Sequence, residues 1–170
     1  MKRLLVVVDM QNDFIDGALG TGEAEKIVPA VVKKVDEYVA AGDEVVFTLD
    51  THFENYMDTA EGRKLPVPHC VKGTHGWELC EALKACGGKR FEKYTFGSEE
   101  LAAYVSGGGY SSVELVGLCT DICVISNALI LKAAVPETPI AVDSACCAGV
   151  SPESHINAIN AMKVCQIDIS

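Results

Sequence analysis

Short, unbroken apolar runs of strand length, each ending on a polar residue and followed by a helical stretch, constrain this chain most. Lys2 to Val8 (KRLLVVV) is the first such run and ends at Asp9. A strand that is apolar at consecutive positions needs cover on both faces, so it belongs in a parallel sheet flanked by helices. Glu23 to Ala41 then has helical spacing, with Ile27, Val31, Val35, Tyr38 and Val39 on one face and Gly42 as the stop. Glu44 to Leu49 reads as a second strand entering a polar segment, Asp50 to Lys64. A short helix follows near Trp77 to Cys86, then a strand at Arg90 to Lys93, a helix from Ser98 and a turn at Gly107 to Gly109. Val113 to Leu118 is a strand, Thr120 to Ala134 a helix apolar on nearly every side and hence buried, and Ile140 to Val142 a strand. Ser151-Pro152 opens the last helix, and Val164 to Ile169 closes the sheet. The expected fold class is α/β: a three-layer αβα sandwich with a central, mostly parallel, Rossmann-like sheet. One domain over residues 1–170 is expected, without repeat, linker or low-complexity tract.

Composition narrows the function classes. A hydrophobic fraction of 49% with 22% charged residues suits a soluble globular chain. No apolar run approaches the roughly 20 residues of a membrane helix. Leu4 to Val8 is too short, too near Met1 and too directly joined to Asp9 for a signal peptide, so a cytoplasmic location is expected. The net charge of −10 opposes nucleic-acid binding, which needs clustered Lys and Arg. Most of the eight cysteines should be free thiols in a reducing compartment. Cys80, Cys86, Cys146, Cys147 and Cys165 are expected as small buried hydrophobes.

Ligands of an open parallel sheet bind beyond the carboxyl ends of its strands. Asp9 follows the first strand, Asp50 the second, Lys93 the third, and Cys119 to Cys123 the fourth. A thiol in the first turn of a helix feels the positive end of the dipole, and an ammonium nearby favours thiolate further. Taken singly, Cys123 reads equally as a structural cysteine, Asp9 as a loop-bracing carboxylate and Lys93 as a solvated lysine; their shared rim favours chemistry. In TLDTHFEN an extended Asp50-x-His52 pair points both side chains one way, and His69 supplies a third ligand for a divalent ion. Glu61 is either a fourth ligand or solvent-exposed, and the donors suit zinc, iron or manganese. His75 and His155 have no evident partner and read as surface or structural residues. Gly17, Gly20 and Gly22 lack the order of a dinucleotide loop, and the Cys119–Cys123 spacing is not that of a zinc or redox pair.

These motifs together resemble the isochorismatase-like cysteine hydrolases, and within them the nicotinamidase branch. VVVDMQNDFIDGAL resembles the family's opening strand with its catalytic Asp, and TLDTHFEN with PHCVKGTHGWEL its metal segment. FEKYTFGSE is similar to the strand bearing the catalytic Lys, GLCTDICVISNAL to the nucleophile turn, and DSACCAG with SPESH to the last strand and helix start. The resemblance implies a triad of Asp9, Lys93 and Cys123, a cis Leu118–Cys119 peptide, and an oxyanion hole from the N–H groups of Cys119 and Cys123. It implies Asp50, His52 and His69 as ligands of a zinc-type ion that orients a pyridine ring, with Phe14 and Leu118 contacting substrate. One departure stands out: Pro66 occupies a position where many nicotinamidases carry a Trp.

The implied activity is metal-dependent deamidation of nicotinamide to nicotinate and ammonia through a cysteine thioester. The alternatives are a related amidase acting on another small amide or carbamoyl compound, or a non-catalytic metal or thiol module. A small-molecule amide is the expected partner, within a homo-oligomer.

Overall fold

The computed structural model, which describes residues 1–170, carries strands β1 (Arg3–Val8), β2 (Glu44–Asp50), β3 (Lys89–Lys93), β4 (Ser112–Leu118), β5 (Ile140–Ala148) and β6 (Asp168–Ile169). They form one sheet in the order β3-β2-β1-β4-β5-β6, parallel throughout. Helices α1 (Asn12–Ile15), α2 (Gly22–Ala40), α3 (Ala60–Lys64), α4 (Glu81–Lys84), α5 (Glu99–Gly108), α6 (Ile125–Ala134) and α7 (Pro152–Val164) lie between them.

The central strand explains the layers. Leu4 to Val8 have no exposure at all. Successive side chains of a strand point to opposite faces. Leu5 and Val7 accordingly join a core with Ile27, Val31 and Val35 of α2. Leu4, Val6 and Val8 join a second core with Leu101 of α5, Leu131 of α6 and Met162 of α7. The chain runs outward from β1 through β2 to β3, then returns to lay β4 on the other flank of β1. The crevice for a ligand therefore opens above the carboxyl ends of β1 and β4, where the direction of winding reverses.

Gly117 makes the closest approach within the sheet. It has φ +116, and a Cβ there would overlap the Val8 carbonyl oxygen. Only glycine fits the conformation and the space.

Four expectations need correction. β5 runs on to Ala148, through the polar Asp143–Ser144, where its register with β4 shifts between Leu115 and Gly117. Val164 ends α7, so the last strand is only Asp168–Ile169. Residues 120–134 are a π turn, Thr120–Val124, followed by α6, and Leu129 of α6 is 38% exposed. Cys165 is exposed and Cys86 half-buried, whereas Cys80, Cys146 and Cys147 are buried as expected. The polar stretch after β2 also hides a 3-10 turn, Tyr56–Asp58, ahead of α3.

Candidate active site

Asp9, Lys93 and Cys123, from three separate stretches, meet above the switch point. Asp9 has φ 47, in the left-handed region that Asp tolerates better than most side chains. Its N–H donates to the Thr48 carbonyl at 3.2 Å, and the Thr48 hydroxyl donates to Asp9 Oδ1 at 2.6 Å. Lys93 ends β3 and reaches across, with Nζ 2.7 Å from Asp9 Oδ2, 3.2 Å from Asp50 Oδ1 and 3.3 Å from Cys123 Sγ. It also donates to the Thr95 carbonyl at 3.2 Å. The 2.7 Å contact to Asp9 is a fully buried ion pair.

Burial of these groups sets their protonation. Loss of water pushes the Asp9 carboxyl above its ordinary value, against the pull of Lys93. The ammonium of Lys93 is held well above its usual value: burial opposes this, but Asp9, Cys123 and Asp50 outweigh it. For Cys123 the dipole expectation does not decide the outcome. Burial, and then the charge of Asp9, push the thiol well up despite Lys93. The raised value keeps Cys123 a thiol at rest, with the Lys93 ammonium 3.3 Å from its sulfur.

Asp50, His52, Glu61 and His69 converge so that one donor atom from each lies within 4.8 Å of the others. Asp50 Oδ2 is 3.1 Å from His52 Nε2 and 3.5 Å from His69 Nε2, while Glu61 Oε1 is 3.7 and 3.8 Å from them. Four ligands at bonds of about 2.1 Å in a tetrahedron stand about 3.4 Å apart, so the spacing fits a divalent ion. His69 Nδ1 donates to the Val67 carbonyl at 2.8 Å, which leaves Nε2 facing the cluster with its lone pair. Burial alone would raise the Asp50 carboxyl, but the two imidazoles beside it and the Lys93 charge hold it well below the usual range. Asp50 thus touches both clusters, one oxygen toward Lys93 and the other toward the imidazoles.

Three residues missed in the sequence complete this framework. The Gln11 side chain accepts from Asp50 N–H at 2.8 Å and donates to the Asp50 and Trp77 carbonyls at 2.9 and 2.8 Å. Tyr56 packs edge-on against both imidazoles, with centroids 4.7 Å from His52 and 5.1 Å from His69. Thr48 is the third, and its signal was legible as one hydroxyl in the otherwise apolar VVFTL.

A cavity of about 500 Å³ opens over both clusters. Cys123, Cys119, Asp50, Glu61 and His69 line it, as do Phe14, Leu65 and Phe96. The remaining placements are mixed. Leu118 packs in the core and does not line the cavity, and Pro66 is exposed and does not line it either. The Leu118–Cys119 peptide is cis. His75 is exposed, whereas His155 has a partner after all, its Nδ1 lying 2.7 Å from the Thr120 hydroxyl.

The sequence matches the isochorismatase domain over residues 3–169. The nicotinamidase/pyrazinamidase of Mycobacterium tuberculosis is 28% identical over 188 aligned positions, covering 98% of this chain and 97% of that protein. The crystal structure of a pyrazinamidase of Pyrococcus horikoshii in complex with zinc superposes with a TM-score of 0.84 at 28% identity, covering 100% of this chain and 99% of that one. The N-carbamoylsarcosine amidase of Thermoplasma acidophilum superposes with a TM-score of 0.82 at 30% identity, covering 100% and 96%. With the domain matched along nearly its whole length and the same parallel sheet beneath it, this chain belongs to the isochorismatase family.

Proposed function

We propose that this enzyme deamidates nicotinamide to nicotinate and ammonia, with Cys123 as nucleophile, Asp9 as proton carrier and Lys93 as the fixed positive charge. The chain is a hydrolase of amide C–N bonds, and the single observation that carries the finer reading is the union of two clusters at Asp50. One of its oxygens meets Lys93 at 3.2 Å, beside the sulfur, while the other faces two imidazoles.

The chemistry follows from the protonation states. Asp9, buried and paired with Lys93 at 2.7 Å, takes the thiol proton. The sulfur then attacks the amide carbon, and Lys93, 3.3 Å from it, stabilises the thiolate as it forms. Backbone N–H groups of Cys119 and Cys123 stabilise the oxyanion; losing one such donor typically costs about 10²–10³ in rate. The C–N bond breaks as Asp9 returns its proton to the nitrogen, and ammonia leaves. Water, deprotonated by Asp9, then attacks the thioester, releasing the acid and restoring the thiol. Asp50, His52, His69 and Glu61 would hold a divalent ion, zinc being the first candidate, with iron or manganese also suited to these donors. When bound, that ion supplies an electrophilic anchor for the pyridine nitrogen. Phe14 borders the same cavity, with its ring centroid 5.5 Å from that of His69, and offers an apolar surface to the pyridine ring.

Metal-loaded protein should release equal amounts of nicotinate and ammonia, and Cys123→Ala should abolish both. Absence of turnover with nicotinamide and pyrazinamide in the loaded wild type would retire the substrate assignment. Cavity size favours a second reading. At about 500 Å³ the cavity lies within the roughly 300–1,000 Å³ of small-molecule sites and leaves room for an amide larger than nicotinamide. A larger carbamoyl compound turned over with a higher kcat/KM than nicotinamide would establish that alternative.

A further inference from the structure

Asn127 is fully buried in α6, four residues after the nucleophile, and has no part in the chemistry above. Its side chain joins two segments that the sequence keeps apart. Nδ2 donates to the Cys123 carbonyl at 2.8 Å and to the Phe96 carbonyl at 3.1 Å, and Oδ1 accepts the Ser98 N–H at 3.0 Å. Both amide hydrogens and the oxygen are engaged, so the side chain has one orientation.

The segment it grips is the one that follows Lys93. Thr95 offers its carbonyl to Lys93 Nζ at 3.2 Å, and Thr95 and Phe96 line the cavity. Ser98 then caps α5 by accepting the Leu101 N–H at 3.1 Å. Between them Gly97 lies so near α6 that a Cβ would overlap the Ile130 side chain. A lone Asn in an apolar helix would rather be Leu or Ala for burial alone, since an amide without partners costs about 1–3 kcal/mol.

We propose that Asn127 is a positioning residue that sets the separation of the Lys93 ammonium from the Cys123 sulfur, by clamping the segment after β3 to the nucleophile turn. The proposal rests on Cys123 being the nucleophile. Without the clamp the 3.3 Å contact between Nζ and Sγ loosens, and the thiolate loses its nearest positive charge. Misplacement of reacting groups by about 1 Å can cost about 10²-fold in rate.

Three variants and one wild-type measurement test this. Asn127→Thr keeps a hydroxyl able to donate to the carbonyl four residues earlier, that of Cys123, but reaches neither Phe96 nor Ser98. Asn127→Asp keeps the acceptor for Ser98 and loses both donors, and Asn127→Ala loses everything. In each variant that retains a cooperative thermal transition, alkylation of Cys123 by iodoacetamide, read by peptide mass spectrometry without substrate, should slow by about 10–100-fold. kcat should fall by a similar factor, while the rise in Tm on adding zinc stays as in wild type, because the ligands are untouched. A folded variant with wild-type alkylation and kcat overturns the proposal. In wild-type protein labelled with ¹⁵N-Asn, the Asn127 side-chain NH₂ should exchange with solvent as slowly as core amides; fast exchange overturns the proposal whether or not any variant folds. Alkylation needs no amide, so a wild type inert toward every amide would defeat the functional reading while leaving the clamp to be judged.

Discussion

Thr48 has no exposure and donates its hydroxyl to Asp9 Oδ1 at 2.6 Å, while Lys93 faces the other oxygen of the same carboxylate. The two contacts hold the Asp9 carboxylate in place, one oxygen on the Thr48 hydroxyl and the other against the Lys93 ammonium. Replacing Thr48 by Val preserves shape and removes the bond. A hydrogen bond to a charged group is worth about 1.5–3 kcal/mol, so kcat should fall about 10–100-fold while KM changes little. Thr48→Ser should recover most of the loss, and steady-state kinetics on both variants checks this. Gln11 acts on the backbone instead, exchanging hydrogen bonds with Asp50 as a strand neighbour would. Gln11→Ala should weaken metal binding by about 10–100-fold, as loss of a ligand's supporting partner commonly does, measured by competition with a chelating dye. Why such residues escape a reading of sequence is physical. Gln11, Tyr56 and Thr48 serve by reaching a particular backbone atom, ring or carboxylate, and no spacing along the chain encodes which.

Among the elements, β4 tolerates least. Gly117→Ala places a methyl group against the Val8 carbonyl at a positive φ. It should lower stability by roughly 1–3 kcal/mol, seen as a lower urea midpoint with unchanged slope. The opposite end of the sheet carries an ionic network whose loss should be visible in pH dependence. Lys34 of α2 lies 2.7 Å from Asp143 of β5 and 3.4 Å from Glu114 of β4. Burial would raise the Asp143 carboxyl, but Lys34 holds it below its ordinary value. A folded-state pKa below the unfolded one contributes stability above the unfolded value of about 3.9 and loses it as pH falls through the folded value. Lys34→Met should therefore destabilise at neutral pH, and the difference from wild type should shrink below about pH 4, as urea unfolding at both pH values would reveal.

At the scale of the whole molecule, the metal cluster ties β2 to the long segment before α4, which holds little regular structure. Asp50 and His52 come from the β2 end, Glu61 from α3 and His69 from the loop beyond. An ion that binds only the folded state stabilises it by about 2.7 kcal/mol at a concentration about 100 times Kd. For a chain of this size that raises Tm by about 5–10 °C. Zinc should produce such a shift in wild type, a chelator should reverse it, and His69→Ala should remove it. Differential scanning fluorimetry reads all three.

Strand-length apolar runs closed by Asp9 and Asp50 determined, from sequence alone, a covered parallel sheet and the rim that carries the polar groups. That much is legible because burial on both faces demands apolar residues at consecutive positions, and because a strand's end dictates where the next polar side chain must lie. The Asp50-x-His52 pair was legible for the same reason of strand geometry. Only the tertiary structure decided that Lys93 crosses to within 3.3 Å of Cys123, that Asn127 and Gln11 brace the two clusters, and that Leu118 turns into the core. It also reversed the expected ease of ionising the sulfur. A helix dipole is a local property of the chain, whereas exclusion of water comes from packed segments and the Asp9 charge from more than a hundred positions away, and together these push the thiol up despite Lys93.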